Sequence, residues 1–149
     1  MSVEDKLKAL YDLQIVDRRI DEIRNLRGEL PLEVKDLEDE IAGLSNRVEK
    51  ITEDIKVSKQ EIKGHKLLIT TCEEKMTKYT DQQKNVRNNR EFDAIAKEVE
   101  YQELEIELAQ KHIGEFEENV TAKSLILEAA EEKMTERKSH LEFKQGELE

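Results

Sequence analysis

Residues 86–92 read Val86-Arg87-Asn88-Asn89-Arg90-Glu91-Phe92, a short polar break between two long segments of nearly equal length. On both sides of this break, apolar residues recur every seven residues, which is the period of coiled-coil helices. Asparagine tolerates the unusual backbone angles that tight turns require. The stretch therefore predicts the reversal of an antiparallel helical hairpin, and we call residues 87–91 its tip.

The composition favours long helices over a globular domain. Of the 149 residues, 41% are charged, 36% are hydrophobic and 4% are aromatic, with one proline and no tryptophan. So many charged and so few aromatic residues do not fill a sizeable spherical core. The apolar surface is therefore expected to be buried in a narrow strip between helices.

The segment before the tip, residues 31–86, carries the seven-residue repeat through about eight heptads without interruption. We assign the apolar positions to the heptad letters a and d, and call these positions the seam, because a second helix is expected to pack along them. The a positions are Val34, Ile41, Val48, Ile55, Ile62, Ile69, Met76 and Gln83, and the d positions are Leu37, Leu44, Ile51, Ser58, His65, Cys72, Tyr79 and Val86.

The segment after the tip, residues 91–148, repeats in the same way. Its d positions include three basic residues, whose aliphatic stems are expected to pack in the seam while their charges point outward. The a positions are Phe92, Val99, Ile106, Ile113, Val120, Leu127, Met134, Leu141 and Leu148, and the d positions are Ile95, Gln102, Ala109, Phe116, Lys123, Ala130, Arg137 and Lys144.

The two repeats agree on a single register. A fold at Asn89 places opposite each other residues whose numbers total 178, such as Ile62 and Phe116, or Leu37 and Leu141. Each such pair joins an a position to a d position, as two antiparallel heptad helices require. The agreement predicts which residues meet across the hairpin.

A shorter helix is predicted over residues 2–27, ahead of the hairpin. The stretch Gly28-Glu29-Leu30-Pro31 is interpreted as a break, because glycine often follows a helix and proline often starts one. We expect this first helix to fold back and pack at the base of the hairpin, within one all-α coiled-coil domain over residues 1–149. Its apolar stripe is Leu10, Leu13, Val16, Ile20, Ile23 and Leu26, and the face expected to receive it is Ala122, Leu125, Ile126 and Ala129.

The net charge, the single cysteine and the lack of long apolar runs limit the kinds of partner that are expected. A net charge of −11 disfavours nucleic-acid binding along the whole chain, because an acidic surface repels phosphate. Cys72 is the single cysteine, so neither an internal disulfide nor a paired-cysteine zinc site is expected. No signal peptide is recognised, and no apolar run reaches the ~20 residues of a membrane span. A cytoplasmic chain without a membrane partner is expected.

The sequence contains no motif typical of an enzyme. It has no phosphate-binding loop, no HExxH pair and no nucleophile elbow, and we expect no catalysis, no small-molecule substrate and no cofactor. His65 and His112 fall at nearly one level of the hairpin, but two histidines do not complete a metal site. Gly64 and Gly114 share that level, which predicts a soft point in the helices, because glycine weakens a helix interior.

Basic residues gather at the tip of this acidic chain. One interpretation is a solvated turn, and the other is a contact site for RNA or for an acidic surface of a partner protein. Lys75 and Lys78 lie just below the tip. The candidate contact residues are Lys84, Arg87, Asn88, Asn89, Arg90 and Phe92.

Three stretches resemble, in order, one family of bacterial proteins in which a long coiled-coil hairpin is joined to a C-terminal zinc ribbon of the C4 type. The tip is the most specific of the three. They are Leu10-Tyr11-Asp12-Leu13-Gln14-Ile15-Val16-Asp17, Leu30-Pro31-Leu32-Glu33-Val34 and Val86-Arg87-Asn88-Asn89-Arg90-Glu91-Phe92-Asp93-Ala94-Ile95.

The resemblance implies a binding protein. Members of that family are described as nucleic-acid-binding or adaptor proteins, some of them linked to flagellar or secretion-system regulation. Zinc is expected only in the ribbon, and since no cysteine follows Cys72 in these 149 residues, no zinc ligand is expected among them. We expect an adaptor that binds a protein partner, with two alternatives: an RNA-binding arm that uses the tip, or a spacer that self-associates through exposed residues such as Leu104 and Leu108.

Overall fold

The computed structural model describes residues 2–148, with side chains up to residue 147. It contains two α-helices, α1 at Val3–Asn85 and α2 at Asn89–Leu148, joined by residues 86–88. Within the described range no residue lies in a β-strand. The two helices pack against each other, which confirms the predicted all-α hairpin.

The start of α1 is capped as its sequence indicates. The backbone N–H of Asp5 donates to the Ser2 hydroxyl oxygen at 3.2 Å, and the N–H of Lys6 donates to the Ser2 carbonyl at 3.2 Å. Glu4 and Asp5 stand in the first turn, where negative charge is favoured by the helix dipole.

The expected break at Gly28–Pro31 is not found, because α1 runs continuously through both residues. The prediction of a separate first helix over residues 2–27, packed back on the hairpin, is therefore wrong. The apolar stripe of this segment is instead between 42% and 58% exposed at each position. Its members are Leu10, Leu13, Val16, Ile20, Ile23 and Leu26.

The heptad phase explains why the helix continues. Ile20 and Val34 stand two heptads apart at a positions, and Ile23 and Leu37 stand two heptads apart at d positions, so the apolar face is the same on both sides of Pro31. Proline removes one intrahelical hydrogen bond and costs roughly 3 kcal/mol in a helix interior. A chain reversal here would lose more hydrogen bonds than proline does, because the last carbonyl groups of one helix and the first N–H groups of the next have no intrahelical partners.

The chain forms two compact units, one of Met1–Arg47 with Ala130–Glu149 and the other of Val48–Ala129. In the first, Leu37 and Ala130 are the buried apolar residues. In the second, the buried side chains include two polar ones at seam positions, Ser58 and Gln102. The buried apolar residues of the second unit are Ile51, Ile55, Cys72 and Ala109.

The predicted seam is confirmed. Every a and d position from Val34 to Val86, and from Ile95 to Lys144, is buried or half-buried, while Phe92 is the exception at 45% exposed. The second face predicted on α2 is exposed at all four positions: Leu125, Ile126 and the neighbouring alanines, Ala122 and Ala129.

Ion pairs within each unit follow the predicted register. In Val48–Ala129, Lys123 Nζ lies 2.7 Å from Asp54 Oδ2. In the other unit, Arg137 Nε lies 3.0 Å from Glu40 Oε1, and Lys144 Nζ lies 3.2 Å from Glu33 Oε2. Each basic d residue therefore meets an acid one position before an a residue of α1. The charges reach the edge of the seam, as expected, and find a partner there.

Candidate functional site

The tip is built by the end of α1, residues 86–88 and the first turn of α2. The Asn88 side-chain oxygen accepts a hydrogen bond from the Arg90 backbone N–H at 2.9 Å, and the Asn88 carbonyl accepts one from the Phe92 N–H at 3.0 Å. This is the geometry of a helix N-cap. Asn88 thus fixes where α2 begins and holds the backbone of the tip.

The role of asparagine in the turn differs from the expectation. In the described part of the chain no residue has a positive φ angle, so the reversal needs no left-handed backbone. Asn88 serves through its side chain instead, and Asn89 is the first residue of α2. The signal in the sequence was an asparagine just ahead of a helical repeat, which is a favoured capping position.

A second hydrogen bond ties the two helices together at this level. The Gln83 side-chain amide donates to the Phe92 carbonyl at 3.4 Å. The Phe92 backbone is therefore held from both sides, while its ring remains 45% exposed. An aromatic ring on a fixed backbone at a chain reversal is an available contact surface.

The basic side chains of the tip lie in solvent. Lys84 Nζ is 3.9 Å from Asp81 Oδ1, and both side chains are more than two-thirds exposed, so this contact contributes little. Arg87 and Arg90 are exposed, and neither takes part in the ion pairs formed within residues 2–147. Both guanidinium groups are thus available to an anionic partner.

Charge is unevenly distributed around the tip. Between positions 75 and 97 the chain has six basic and three acidic residues, against a net charge of −11 for the whole chain. The structure brings the candidate residues together at one chain reversal, as predicted, and all six are exposed: Lys84, Arg87, Asn88, Asn89, Arg90 and Phe92.

In the Val48–Ala129 unit, the rings of His65, His112 and Phe116 form an aromatic stack. The rings of His65 and His112 lie 5.2 Å apart between centroids with 29° between planes, and the Phe116 ring lies 5.9 Å from His65. His65 Nε2 is 3.8 Å from Glu61, and His112 Nδ1 is 3.6 Å from Glu115. The two imidazoles thus face each other and not a common centre. Among residues 2–147, no group of three or more potential ligands is arranged to hold a metal ion.

The polar groups in the seam are paired to different degrees. Asn119 donates its side-chain N–H to the buried Ser58 hydroxyl at 2.8 Å. The Lys123 ammonium group, hydrogen-bonded to Asp54, lowers the pKa of that carboxyl below its ordinary value of 3.8. The Arg137 Nε–H does not point at Glu40 well enough for a hydrogen bond, so that contact is an ion pair alone.

A patch on the outer side of α2 adds Tyr101 to the two leucines, Leu104 and Leu108, that the sequence suggested for self-association. Tyr101, Leu104 and Leu108 are each between 49% and 59% exposed and face away from the seam. The carboxylate of Glu105 stands beside Tyr101 and raises the pKa of its phenol, because a second negative charge there is disfavoured. In the sequence these three residues occupy heptad positions c and f, and glutamates occupy the positions on either side of them, b and g.

In the part of the chain that the structure describes, neither helix has a stretch long and apolar enough to cross a bilayer. The free thiol of Cys72 is 3% exposed at its seam position, as expected for a small core residue. No family model, no curated protein sequence and no solved structure matches the chain.

Proposed function

We propose that this chain is a non-catalytic adaptor that binds an acidic surface of a partner protein through its tip. The observation that carries the proposal is the combination at one chain reversal of an exposed aromatic ring, Phe92, with two exposed guanidinium groups, Arg87 and Arg90. Aromatic and arginine side chains are the residues that contribute most to protein interfaces. The fixed backbone around Asn88 lowers the entropy cost of presenting them.

The resemblance to bacterial hairpin proteins with a zinc ribbon supports a more specific version. In that version the partner belongs to transcription, flagellar or secretion regulation, and the adaptor works in the cytoplasm. The tip residues of this chain match the most specific stretch of that resemblance. The hairpin then serves as a scaffold that holds the tip away from other contacts.

The test is a pull-down from bacterial lysate with the 149-residue chain as bait, before and after nuclease treatment. The variant Arg87→Glu/Arg90→Glu reverses the two charges at the tip. A matched control, Lys56→Glu/Lys59→Glu, makes the same change in net charge on an exposed face of α1. We expect one protein to be retained after nuclease treatment, lost with the tip variant and kept with the control.

Loss of that protein with both variants would contradict the proposal, because net charge and not the tip would then govern binding. Far-ultraviolet circular dichroism of both variants checks that helix content is unchanged. Both substitutions lie on exposed residues outside the seam, so they are expected to alter stability by less than about 0.5 kcal/mol.

An RNA-binding arm is the second candidate, and the excess of basic residues between positions 75 and 97 favours it. Exposed arginines contact phosphates, and an exposed aromatic ring stacks on an unpaired base. RNA recovered only without nuclease, and lost with Arg87→Glu/Arg90→Glu, supports this function over the adaptor. Its affinity should fall steeply as salt rises, because phosphate contacts release counterions.

A further inference from the structure

The outer face of α2 just after the tip carries an apolar stripe with acidic edges. Tyr101, Leu104 and Leu108 follow one another at spacings of three and four residues and are about half exposed. This is the spacing with which a helix presents a continuous apolar face to another helix. We call these three residues the 101–108 patch.

Glutamate residues border the patch on both sides with a seven-residue period. One edge is formed by Glu98 and Glu105, and the other by Glu100 and Glu107. In a coiled coil, the positions that border the apolar stripe select the partner through their charge. Two acids on each edge therefore favour basic residues on the helix that covers the stripe.

The corresponding outer face of α1 has a different character. Its residues at the equivalent heptad positions are mostly polar; Val57 and Leu67 are exposed there but stand ten residues apart, with Leu68 exposed beside Leu67. A helix bound on the outside of the hairpin in this unit thus finds its apolar contacts on α2. This asymmetry is not needed for the hairpin itself, whose seam lies on the other side of α2.

The same patch of a second copy fits less well than a basic helix does. If the patch met another copy of itself, the glutamate edges of both copies would come together. Like charges along an interface oppose association.

We propose that the 101–108 patch is a docking site for a basic amphipathic helix of a partner protein. The partner helix presents leucine-like residues at heptad spacing to Tyr101, Leu104 and Leu108. It places lysine or arginine on both of its edges, opposite the two rows of acids. This surface is separate from the tip, and it does not depend on what the tip binds.

The probe is a fluorescent synthetic peptide of about three heptads with leucine at a and d and lysine at e and g. Two control peptides keep the length: one replaces lysine with glutamate, and the other replaces leucine with serine. Fluorescence anisotropy measures binding to the full 149-residue chain. We expect saturable one-to-one binding of the first peptide, and at least tenfold weaker binding of each control.

Two variants locate the binding on the chain. Leu104→Gln/Leu108→Gln removes two apolar anchors from the patch. We expect the affinity for the peptide to fall at least about tenfold, since each buried leucine contributes strongly. The matched control, Leu125→Gln/Ile126→Gln, removes as much exposed apolar surface elsewhere on α2 and leaves binding unchanged. Arg87→Glu/Arg90→Glu also leaves peptide binding at least as strong, which separates this site from the tip.

Several results overturn the proposal. Equal loss with both leucine variants shows that the peptide binds the acidic chain without using the patch. Equal binding of the serine peptide shows that charge alone is responsible. Light scattering that reveals a dimer of the free chain, dissociated by Leu104→Gln/Leu108→Gln, assigns the patch to a second copy instead.

Discussion

Single residues in the seam explain how a hairpin with many polar seam positions is held together. Lys123, Arg137 and Lys144 occupy d positions that an apolar residue normally fills. Each forms an ion pair with an acidic residue of α1, and the partners are Asp54, Glu40 and Glu33 respectively. The sequence predicted that these charges would point outward. It did not identify their partners, because an acid beside the seam is common on such a charged chain and only the observed side-chain positions select one.

The Asp54–Lys123 pair makes a prediction about pH. The pKa of Asp54 is lowered in the folded chain, so its ionised form contributes stability above the ordinary carboxyl pKa of 3.8, and this contribution is lost as the pH falls through the lower folded value. Asp54→Asn is therefore expected to lower the melting temperature at neutral pH. The difference from the unchanged chain should shrink towards zero below pH 3.8.

Thermal melts between pH 2 and pH 7, followed by circular dichroism, measure this difference. Glu53→Gln is the matched control, since Glu53 is the exposed residue directly before Asp54 and makes no ion pair among the described residues. A difference that stays constant over the whole range would assign the effect of Asp54→Asn to packing instead of charge.

Whole elements were predictable wherever the heptad repeat was uninterrupted. The helices end at Asn85 and begin again at Asn89, within two residues of the expected boundaries, and the register was correct. The break predicted at Gly28–Pro31 is wrong, because glycine and proline are only local helix-ending signals, while the heptad phase is the same on both sides of them. Ile20, Arg27 and Val34 share one heptad position, and this unbroken phase is the sequence feature that indicates a continuous helix.

The level of Gly64 and Gly114 makes a prediction about local stability. Neither glycine has a neighbouring atom within 4 Å of where a Cβ would lie, so alanine fits at both positions. Gly64→Ala/Gly114→Ala is expected to raise the free energy of unfolding by about 2 kcal/mol, since each glycine costs up to ~1 kcal/mol in a helix interior. Urea unfolding measures the gain.

Hydrogen exchange shows whether this level is soft. In the unchanged chain we expect faster amide exchange around residues 64 and 114 than around the buried Ile51 and Ile55, and the alanine variant should remove the difference. Gly43→Ala is the control, because Gly43 also has open space around it but belongs to the other unit. Uniform exchange along the Val48–Ala129 unit of the unchanged chain would refute the soft point.

At the scale of the molecule, a narrow seam leaves much apolar surface uncovered. The N-terminal part of α1 and the outer side of α2 both expose large apolar residues at helical spacing. Exposed apolar stripes of this kind are typical of surfaces that bind other helices. The tip and the 101–108 patch differ in chemistry, one basic and one acidic at its edges, so they are suited to two different partners.

The register of the Val48–Ala129 unit also determines in which order its contacts can form. Gln83 and Phe92 are nine residues apart in sequence, whereas Asp54 and Lys123 are 69 apart. Closing the longer loop directly costs about 2 kcal/mol more in chain entropy. The unit is therefore expected to fold like a zipper that starts at the tip, where each closed pair shortens the loop for the next.

Stopped-flow folding and unfolding measures this order. Val99→Ala, near the tip, should mainly slow refolding, and Leu127→Ala, at the far end of the unit, should mainly speed unfolding. Equal effects on refolding would exclude a zipper. Because the reversal that presents Arg87 and Arg90 is also where folding is expected to start, a partner that binds the tip during synthesis meets a complete surface before most of α2 has been made.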